Sequence, residues 1–463
     1  MTGLTETVAR FVHEKTSSDL PQGAVDKAKR AIADTFAVIL AGAGSELAAP
    51  LERYLELAGA RGDAPVLGTP HTASPEIAAL LNGAFGHALD FDDVLSLMPA
   101  HPSAVILAAL CASLGRETIS GMRLIEAYAL GIEIGGRIGS GVTVGHYHRG
   151  FHGTGTLGIF SALAALAKLR RLDVATTRTA FGIGASLASG LQRNFGTMTK
   201  ALHTGWAARS ALAAVDLASL GFTAARDVLE AKAGFFAAYG TADSDPAAGA
   251  AALGNPWVLI DPGLALKRFP CCYAAHRGMD AVLALKARHG FAAEDIEHLT
   301  CAMPPGGMRA LIHPRPKSGL EGKFSLPYAL AAGVLDGRYG LRSFTDEAVQ
   351  RPAIARLLER IEAREDPRCA GDDPAFESLS PGSRGFVEVE VVLKNGVRDI
   401  SRVDRPPGHP SRELTWGDIE AKFADCAAHA CMPQAHASRA FSRLRHLESL
   451  GDMATLIDLL RKR

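Results

Sequence analysis

The stretch GFVEVEVVLKNGVRDIS, residues 385–401, decides the fold class of the second part of the chain. Its residues from Val387 to Val391 alternate valine with glutamate, which is the period-two pattern of a strand with one buried face. Asn395-Gly396 then supplies a dipeptide that strongly favours a two-residue hairpin turn. The segment therefore predicts a β-hairpin.

The segments around this hairpin predict a mixed section inserted into a helical chain. IEHLTCAMP, residues 296–304, is typical of a strand, and residues 274–290 have helical periodicity. The first 265 residues are almost wholly helical in pattern, and a helix capped near Thr415 opens a helical tail. We predict a mainly α chain, with an all-helical domain built from both termini (1–265 and 408–463) and an inserted α+β domain (266–407).

Length and composition exclude several classes of function. A chain of 463 residues is long enough for two domains, and its 49 basic residues balance 49 acidic ones, which argues against a nucleic-acid partner. No apolar run reaches the about 18 residues of a membrane helix, and the N-terminus has no signal-peptide pattern. Seven scattered cysteines suit a reducing compartment. These features predict a cytoplasmic protein without a membrane partner.

Titratable groups gather in HALDFDDVLSLMPAHPSA, residues 87–104. Ser74 and Pro75 predict the start of a helix that runs into this stretch, so that His87, Asp90 and Asp93 fall on one helical face. His101 immediately precedes Pro102, which predicts the start of another helix. Free N–H groups at that helix start would suit a substrate carboxylate beside the imidazole.

Further clusters of imidazole, ammonium and guanidinium groups lie along the chain beside glycines or predicted helix starts. They are GHYHRGFHGTGTLG (145–158) with Arg149 and His152, RNFGTMTKALHTG (193–205) with Lys200 and His203, LKRFPCCYAAHRG (266–278) with Lys267, Cys272 and His276, and KFSLPY (323–328) with Tyr328. Neither a phosphate-binding loop nor a complete zinc motif occurs, and Cys271-Cys272 lacks the companions of a known thiol nucleophile. We therefore predict no metal and no nucleotide site.

Carboxylates, imidazoles and cations together match one kind of chemistry, the removal of a proton from carbon next to a carboxylate. That reaction needs a general base, an acid for the leaving group, and cations that stabilise an enediolate-like transition state. The predicted ligand is a small di- or tricarboxylate. Among these groups His101, His152 or Asp90 would remove the proton, while Lys200, Lys267 and Arg149 would hold substrate carboxylates.

At these same residues the sequence resembles the MmgE/PrpD family, which includes 2-methylcitrate dehydratase, cis-aconitate decarboxylase and iminodisuccinate epimerase. The matching motifs are HALDFDDV with HPS, GFHGTGTLG, TKALHTGWAA, LKRFPCCYAAH, KFSLPYALA and GHPSRELTWGDIEAKF, in the family's order. The resemblance implies a helical domain made from both termini, an α+β lid domain, a cleft where the two meet, a homodimer and no cofactor.

The resemblance also implies site residues, motif by motif. The implied catalytic residues are Asp90, His101, His152, Lys200, Lys267 and Tyr328, and the expected substrate-binding residues are Arg149, His203, Cys272 and His276. Where the family's decarboxylases carry a threonine and a histidine, this chain has Val94 and Cys272. We therefore favour a 2-methylcitrate dehydratase-like hydro-lyase over an epimerase of the iminodisuccinate type. A decarboxylase is less favoured, and a non-catalytic paralogue least of all.

Overall fold

The computed structural model describes residues 3–59, 61–114, 117–372 and 381–462. Contacts within the chain divide it into two compact units. We call them the helical unit, formed by Met1–Gln192, Lys200–Ala265 and Thr415–Arg463, and the mixed unit, formed by Arg193–Thr199 and Leu266–Leu414. Each is described by itself.

The first part of the chain is built from α-helices that follow the predicted apolar periodicity. They are α1 Leu4–Glu14, α2 Ala24–Gly42, α3 Ala48–Ala58, α4 Pro75–Ala88, α5 Pro102–Ala112, α6 Gly121–Val142, α7 Val144–His148, α8 Gly153–Thr156, α9 Gly158–Leu169, α10 Val174–Leu187, α11 Met198–Ser219, α12 Phe235–Tyr239 and α13 Pro246–Ala251. The strands β1 (Ala64–Pro65) and β2 (Thr72–Ala73) form one short antiparallel pair. These two-residue strands have no alternating pattern, so the sequence did not predict them.

Glycines let two helices of the helical unit approach α4 closely enough to place its last turn. A Cβ built on Gly83 would lie 2.6 Å from the Cα of Gly205 on α11, and one on Gly205 would lie 2.0 Å from the Leu80 carbonyl oxygen. On the other side, a Cβ on Gly86 would lie 3.0 Å from the Ala104 Cβ on α5. The end of α4 is therefore held between the beginnings of α5 and α11.

The mixed unit contains a four-stranded sheet in the order β4-β3-β5-β6. Its strands are β3 Ile296–Met303, β4 Ile361–Glu365, β5 Val387–Leu393 and β6 Arg398–Val403, and its helices are α14 His276–His289, α15 Gly319–Gly322, α16 Leu326–Asp336, α17 Asp346–Val349 and α18 Pro352–Leu358. β3 pairs parallel with β4 and antiparallel with β5. The predicted hairpin of β5 and β6 is confirmed, with alternate residues of β5 buried and Gly396 at a φ of +89° in the turn.

The unit boundaries differ in two places from the predicted division of the chain, because the mixed unit extends to Leu414 instead of residue 407 and because it includes a short segment of the first part. Residues Arg193–Thr199 belong to the mixed unit, although the sequence analysis assigned them to the first domain. The reason is local packing, because the ring of Phe195 stacks on that of Phe324 with centroids 5.5 Å apart. In the same segment Gly196, at a φ of +83°, leaves room for the ring of His313.

The C-terminal segment belongs to the helical unit and consists of α19 Trp416–His429, α20 Gln434–Arg445 and α21 Ala454–Leu460. Thr415 caps α19 through a capping box with Asp418, which confirms the predicted helix start. Helix α19 packs on α2, and Lys422 of α19 forms a buried ion pair of 2.7 Å with Asp34 of α2.

The prediction of a mainly α chain with some β structure is confirmed. That the second part acts as a lid stays a prediction. Across the described ranges, no helix combines the length and the apolar character that a membrane crossing requires.

Candidate active site

The acidic motif after α4 lies in a loop, so the prediction that it continues the helix is wrong. Helix α4 ends at Ala88, and Asp90 adopts a left-handed backbone conformation with a φ of +51°. Aspartate tolerates this conformation better than most residues, because its short side chain can bond locally. The turn directs His87 and the following acids into one buried cluster instead of along one helical face.

A continuous chain of hydrogen bonds links two of these acids through a histidine and a lysine. Lys200 Nζ lies 2.8 Å from Asp90 Oδ1 and 2.7 Å from His87 Nε2. His87 Nδ1 lies 2.8 Å from Asp92 Oδ2. Since an ammonium only donates, Nε2 of His87 accepts, and Nδ1 then carries the proton that is donated to Asp92. All four side chains are at least nine-tenths buried.

His101 lies directly beside this chain, at the N-terminus of α5 as predicted. Its ring centroid is 4.6 Å from that of His87. The Nδ1–H of His101 donates to the backbone carbonyl of Asp93 at 2.6 Å, so that the lone pair of the ring lies on Nε2. The side chain of His101 retains 14% of its exposure, whereas that of Asp92, 3.7 Å away, retains none.

One N–H group at the start of α5 bonds a side chain of the protein. The Ser103 N–H donates to Asp93 Oδ1 at 3.4 Å, and a substrate carboxylate at this helix start stays a prediction. Ser103 Oγ also donates to Asp93 Oδ2 at 2.5 Å and lies 2.6 Å from the hydroxyl of Tyr128 on α6.

His152 and His203 form a second pair of imidazoles next to the first. Their Nδ1 atoms are 3.0 Å apart, and the His152 ring is 5.5 Å from the His87 ring. Burial, followed by the charge of Lys200, lowers the pKa of His203 to about 4. The same two causes, in the same order, hold the pKa of His152 well below its usual range. Both rings are therefore neutral at pH 7, and one donates to the other.

The C-terminal segment contacts the acidic loop, residues 90–93, through Lys422 of α19. Lys422 Nζ donates to the Phe91 carbonyl at 2.8 Å and lies 3.7 Å from the centre of the Phe91 ring. Its partner Asp34 is fully buried. The loop between Asp90 and Asp93 is thus fixed on one side by Lys200 and on the other by Lys422.

The helical unit brings together five of the predicted site residues. They are the predicted catalytic residues Asp90, His101, His152 and Lys200 and the predicted substrate-binding residue His203. Arg149 has different neighbours, because its exposed guanidinium donates to the Gly240 carbonyl at 2.7 Å and stacks on Phe151. Its role in holding substrate stays a prediction.

The other predicted site residues belong to the mixed unit. Lys267 and His276 are fully buried, and His276 Nε2 lies 3.3 Å from the Cys271 carbonyl. Cys272 is half-buried, and its backbone N–H donates to the Lys323 carbonyl. Tyr328 packs in the hydrophobic core of this unit and donates its hydroxyl to the Ser343 carbonyl. Burial raises the pKa of Tyr328 to about 12. The catalytic and binding roles of these residues stay predictions.

Sequence reasoning placed His87 and Asp93 beside Asp90 without giving them a role, and it missed Asp92, Ser103 and Tyr128 as parts of the site. The available signal was a histidine followed by three acids in HALDFDD. A helical reading of that motif separates His87 from Asp92, because five residues do not return to the same face of a helix.

The cluster also has the atoms of a metal site. One donor atom from each of His87, Asp90, Asp92 and His101 lies within 4.8 Å of the others, as do those of His87, His101 and His152. However, Lys200 already contacts both His87 and Asp90, and its ammonium would repel a divalent cation at that place. The donor set therefore fits a protein cation better than a metal, and a metal-free site stays our prediction.

The lowered pKa of His203 makes the stability of the folded chain depend on pH. The pKa of His203 is about 4 in the folded chain against an ordinary 6.5, so the unfolded chain binds more protons between these values. Stability contributed by neutral His203 is therefore present above pH 6.5 and is lost as the pH falls towards 4. Between pH 7 and pH 5 we expect the urea midpoint of His203→Asn to fall less than that of the wild type. His429→Asn, at an exposed position of α19, is the control, and an equal pH dependence in both variants would contradict the expectation.

Comparison with known families identifies the chain. The MmgE/PrpD N-terminal domain matches residues 6–246, and the MmgE/PrpD C-terminal domain matches residues 269–445. This chain belongs to the MmgE/PrpD family. The resemblance found in the sequence motifs is thereby confirmed over nearly the whole chain.

Curated MmgE/PrpD relatives include cis-aconitate decarboxylases. The enzyme of Mus musculus is 29% identical, over 99% of this chain and 93% of the relative. That of Homo sapiens is also 29% identical, over 99% and 94%. A cis-aconitate decarboxylase of Aspergillus terreus is 26% identical, over 88% and 86%. By their names these relatives are lyases, the class that the sequence analysis favoured.

Proposed function

We propose that this chain is a cofactor-independent lyase that moves a proton at the carbon next to a carboxylate of a small di- or tricarboxylate. The observation that carries the proposal is the buried chain Asp92–His87–Lys200–Asp90, with His101 beside it. A cation fixed among acids and imidazoles can stabilise the negative charge that develops on the substrate when the proton is removed.

The geometry supports distinct roles for these groups. His101 carries its lone pair on Nε2 and is the candidate base, since Nδ1 is held by the Asp93 carbonyl. Lys200, oriented by His87 and Asp90, is the candidate cation for the developing enediolate. In a dehydration the C–H electron pair forms the C=C bond, and the hydroxyl leaves as water with a proton from a second acid.

Dehydration of a 2-methylcitrate-like hydroxy acid is the first candidate reaction. It is supported by Val94 and Cys272, which stand where the family's decarboxylases carry a threonine and a histidine. An isopropyl group at position 94 cannot donate to a departing carboxylate. The backbone of Val94 pairs with Ala265, which fixes this position directly after the acidic loop.

Decarboxylation of cis-aconitate is the second candidate, because curated relatives with that name cover almost the whole chain. In that reaction the C–C bond to the carboxylate breaks, carbon dioxide leaves, and the carbon takes a proton from an imidazolium. Epimerisation needs proton carriers on both faces of the carbon, and the rings of His101 and His152, 6.5 Å apart, are the pair that would serve.

Proton NMR in deuterated water separates these reactions. The purified protein is incubated with 2-methylcitrate, citrate, cis-aconitate, iminodisuccinate and tartrates, with the His101→Asn variant as the control. We expect alkene signals from 2-methylcitrate in the wild type alone. Loss of carbon dioxide from cis-aconitate would establish the second candidate, and deuterium entering the α-position without a new skeleton would establish an epimerase. No change with any compound would contradict the proposed substrate class.

A further inference from the structure

Two groups of Asp93 help to hold the candidate base His101, one directly and one through Ser103. The carbonyl of Asp93 accepts the Nδ1–H of His101 at 2.6 Å. The carboxyl of Asp93 bonds Ser103, two residues beyond His101, through the Oγ at 2.5 Å and the backbone N–H at 3.4 Å. Asp93 therefore fixes both the ring of His101 and the backbone turn from which the ring projects.

A third residue completes this arrangement. The hydroxyl of Tyr128, from the middle of α6, lies 2.6 Å from Ser103 Oγ. Asp93, Ser103 and Tyr128 are all fully buried. Asp93 precedes and Ser103 follows His101 in the sequence, so their hydrogen bond closes a loop of the chain that contains His101.

Resting on the proposed function, we propose that Asp93 is a positioning residue that holds the imidazole of His101 with Nε2 towards the reacting carbon, and that Ser103 and Tyr128 set the geometry of Asp93. None of the three touches the reacting atoms in this role. They act through His101, which is the catalytic residue.

The surroundings of Asp93 make its ionised carboxylate unfavourable for the stability of the fold. Acids face it from its own loop (Asp92) and from α2 (Asp34), while Lys422 of α19 is bonded to Asp34 and to the Phe91 carbonyl. Burial, partly offset by the bond from Ser103, raises the pKa of Asp93 to about 7. The ordinary pKa of an aspartate is 3.8, so between pH 3.8 and pH 7 the folded chain binds more protons here than the unfolded chain. The stability that this carboxyl contributes is therefore lost as the pH rises through that range. A neutral asparagine would hold Ser103 without this cost and would keep the backbone carbonyl that accepts from His101, so the positioning depends on the hydrogen bonds of residue 93 and not on its charge.

The test compares Ser103→Ala with Ser161→Ala, which removes another fully buried serine, on α9 of the same unit. We expect Ser103→Ala to lower kcat/KM about tenfold to hundredfold, with KM within about twofold, because a slightly misplaced base costs rate. Ser161→Ala should change neither quantity.

Two substitutions at Asp93 show whether position or fold is affected. Asp93→Asn can still bond Ser103 and keeps the backbone carbonyl that accepts from His101, so it should keep more activity than Asp93→Ala. Above pH 7 it should be at least as stable as the wild type, by urea unfolding. If Ser103→Ala matches Ser161→Ala in both kcat/KM and KM, the positioning role is overturned.

A readout without turnover separates this inference from the proposed function. In protein labelled with ¹⁵N-histidine, the signal of His101 is assigned by its loss in His101→Asn. We expect the Nδ1-protonated tautomer in the wild type and a rise of the Nε2-protonated form in Ser103→Ala. A silent substrate panel with this tautomer shift would refute the substrate class and uphold the positioning. Unchanged tautomers would refute the positioning, even in an active lyase.

Discussion

Replacing Lys200 with methionine is expected to lower kcat/KM about 10²- to 10³-fold, as the loss of one stabilising donor does elsewhere. It should also lower the free energy of unfolding by about 3–5 kcal/mol, because one partner of a buried ion pair is removed. The Asp90 carboxylate, whose side chain is only 5% exposed, would lose the ammonium that lies 2.8 Å away. His87 would lose the donor to its Nε2 at the same time.

The double variant Lys200→Met/Asp90→Asn distinguishes the two effects. Neutralising Asp90 removes the uncompensated charge, so we expect most of the stability to return while kcat/KM stays low. Urea unfolding and steady-state kinetics on the substrate found in the NMR panel measure both quantities. A double variant no more stable than Lys200→Met would show that the charge of Asp90 is not the cause of the destabilisation.

His101→Asn, unlike Lys200→Met, is expected to lose much of the rate but little of the stability. The asparagine amide can donate to the Asp93 carbonyl in place of Nδ1–H, so the local hydrogen bond is retained. The base on Nε2 is removed, and kcat should fall about 10²- to 10⁴-fold. The free energy of unfolding should change by less than about 1 kcal/mol, because one hydrogen bond is conserved.

The matched control is His13→Asn. His13 also contacts a backbone carbonyl through Nδ1, that of Leu172 at 3.2 Å, but it is exposed and belongs to no cluster of imidazoles. It should leave kcat unchanged. If His101→Asn keeps kcat/KM within about threefold of the wild type, the proton is carried by another group, and His152 is then the next candidate.

Local patterns in the sequence predicted the elements whose signals are local. The hairpin after Val387, the start of α5 at Pro102 and the cap of α19 at Thr415 each depend on a few adjacent residues, and each is found where it was predicted. The end of α4 was missed because the chain turns at Asp90 in a left-handed conformation that is usual for glycine. No glycine marks that turn in the sequence.

The candidate site was predicted as a set of residues, but its connections were not. That Asp90, His101, His152, Lys200 and His203 would meet follows from the family motifs, whereas the bond between Lys200 and His87 depends on packing between distant helices. Gly83 and Gly205 permit that packing, but no pattern in the sequence indicates that these two glycines face each other. Likewise, Ser103 meets Tyr128 only because α6 packs against α5, which a periodic pattern cannot specify.

The contact of Lys422 with Phe91 and Asp34 sets an order of events during synthesis. The ribosome makes the acidic loop early, but the lysine that holds it from beneath emerges only after the whole mixed unit has been translated. Domains generally fold as they leave the ribosome, so the mixed unit, which is complete once Leu414 has been made, can fold while the helical unit still waits for its last three helices. The helical unit starts first and finishes last. An interrupted chain that stops before residue 422 therefore carries every imidazole of the site but lacks the support of the loop that arranges them.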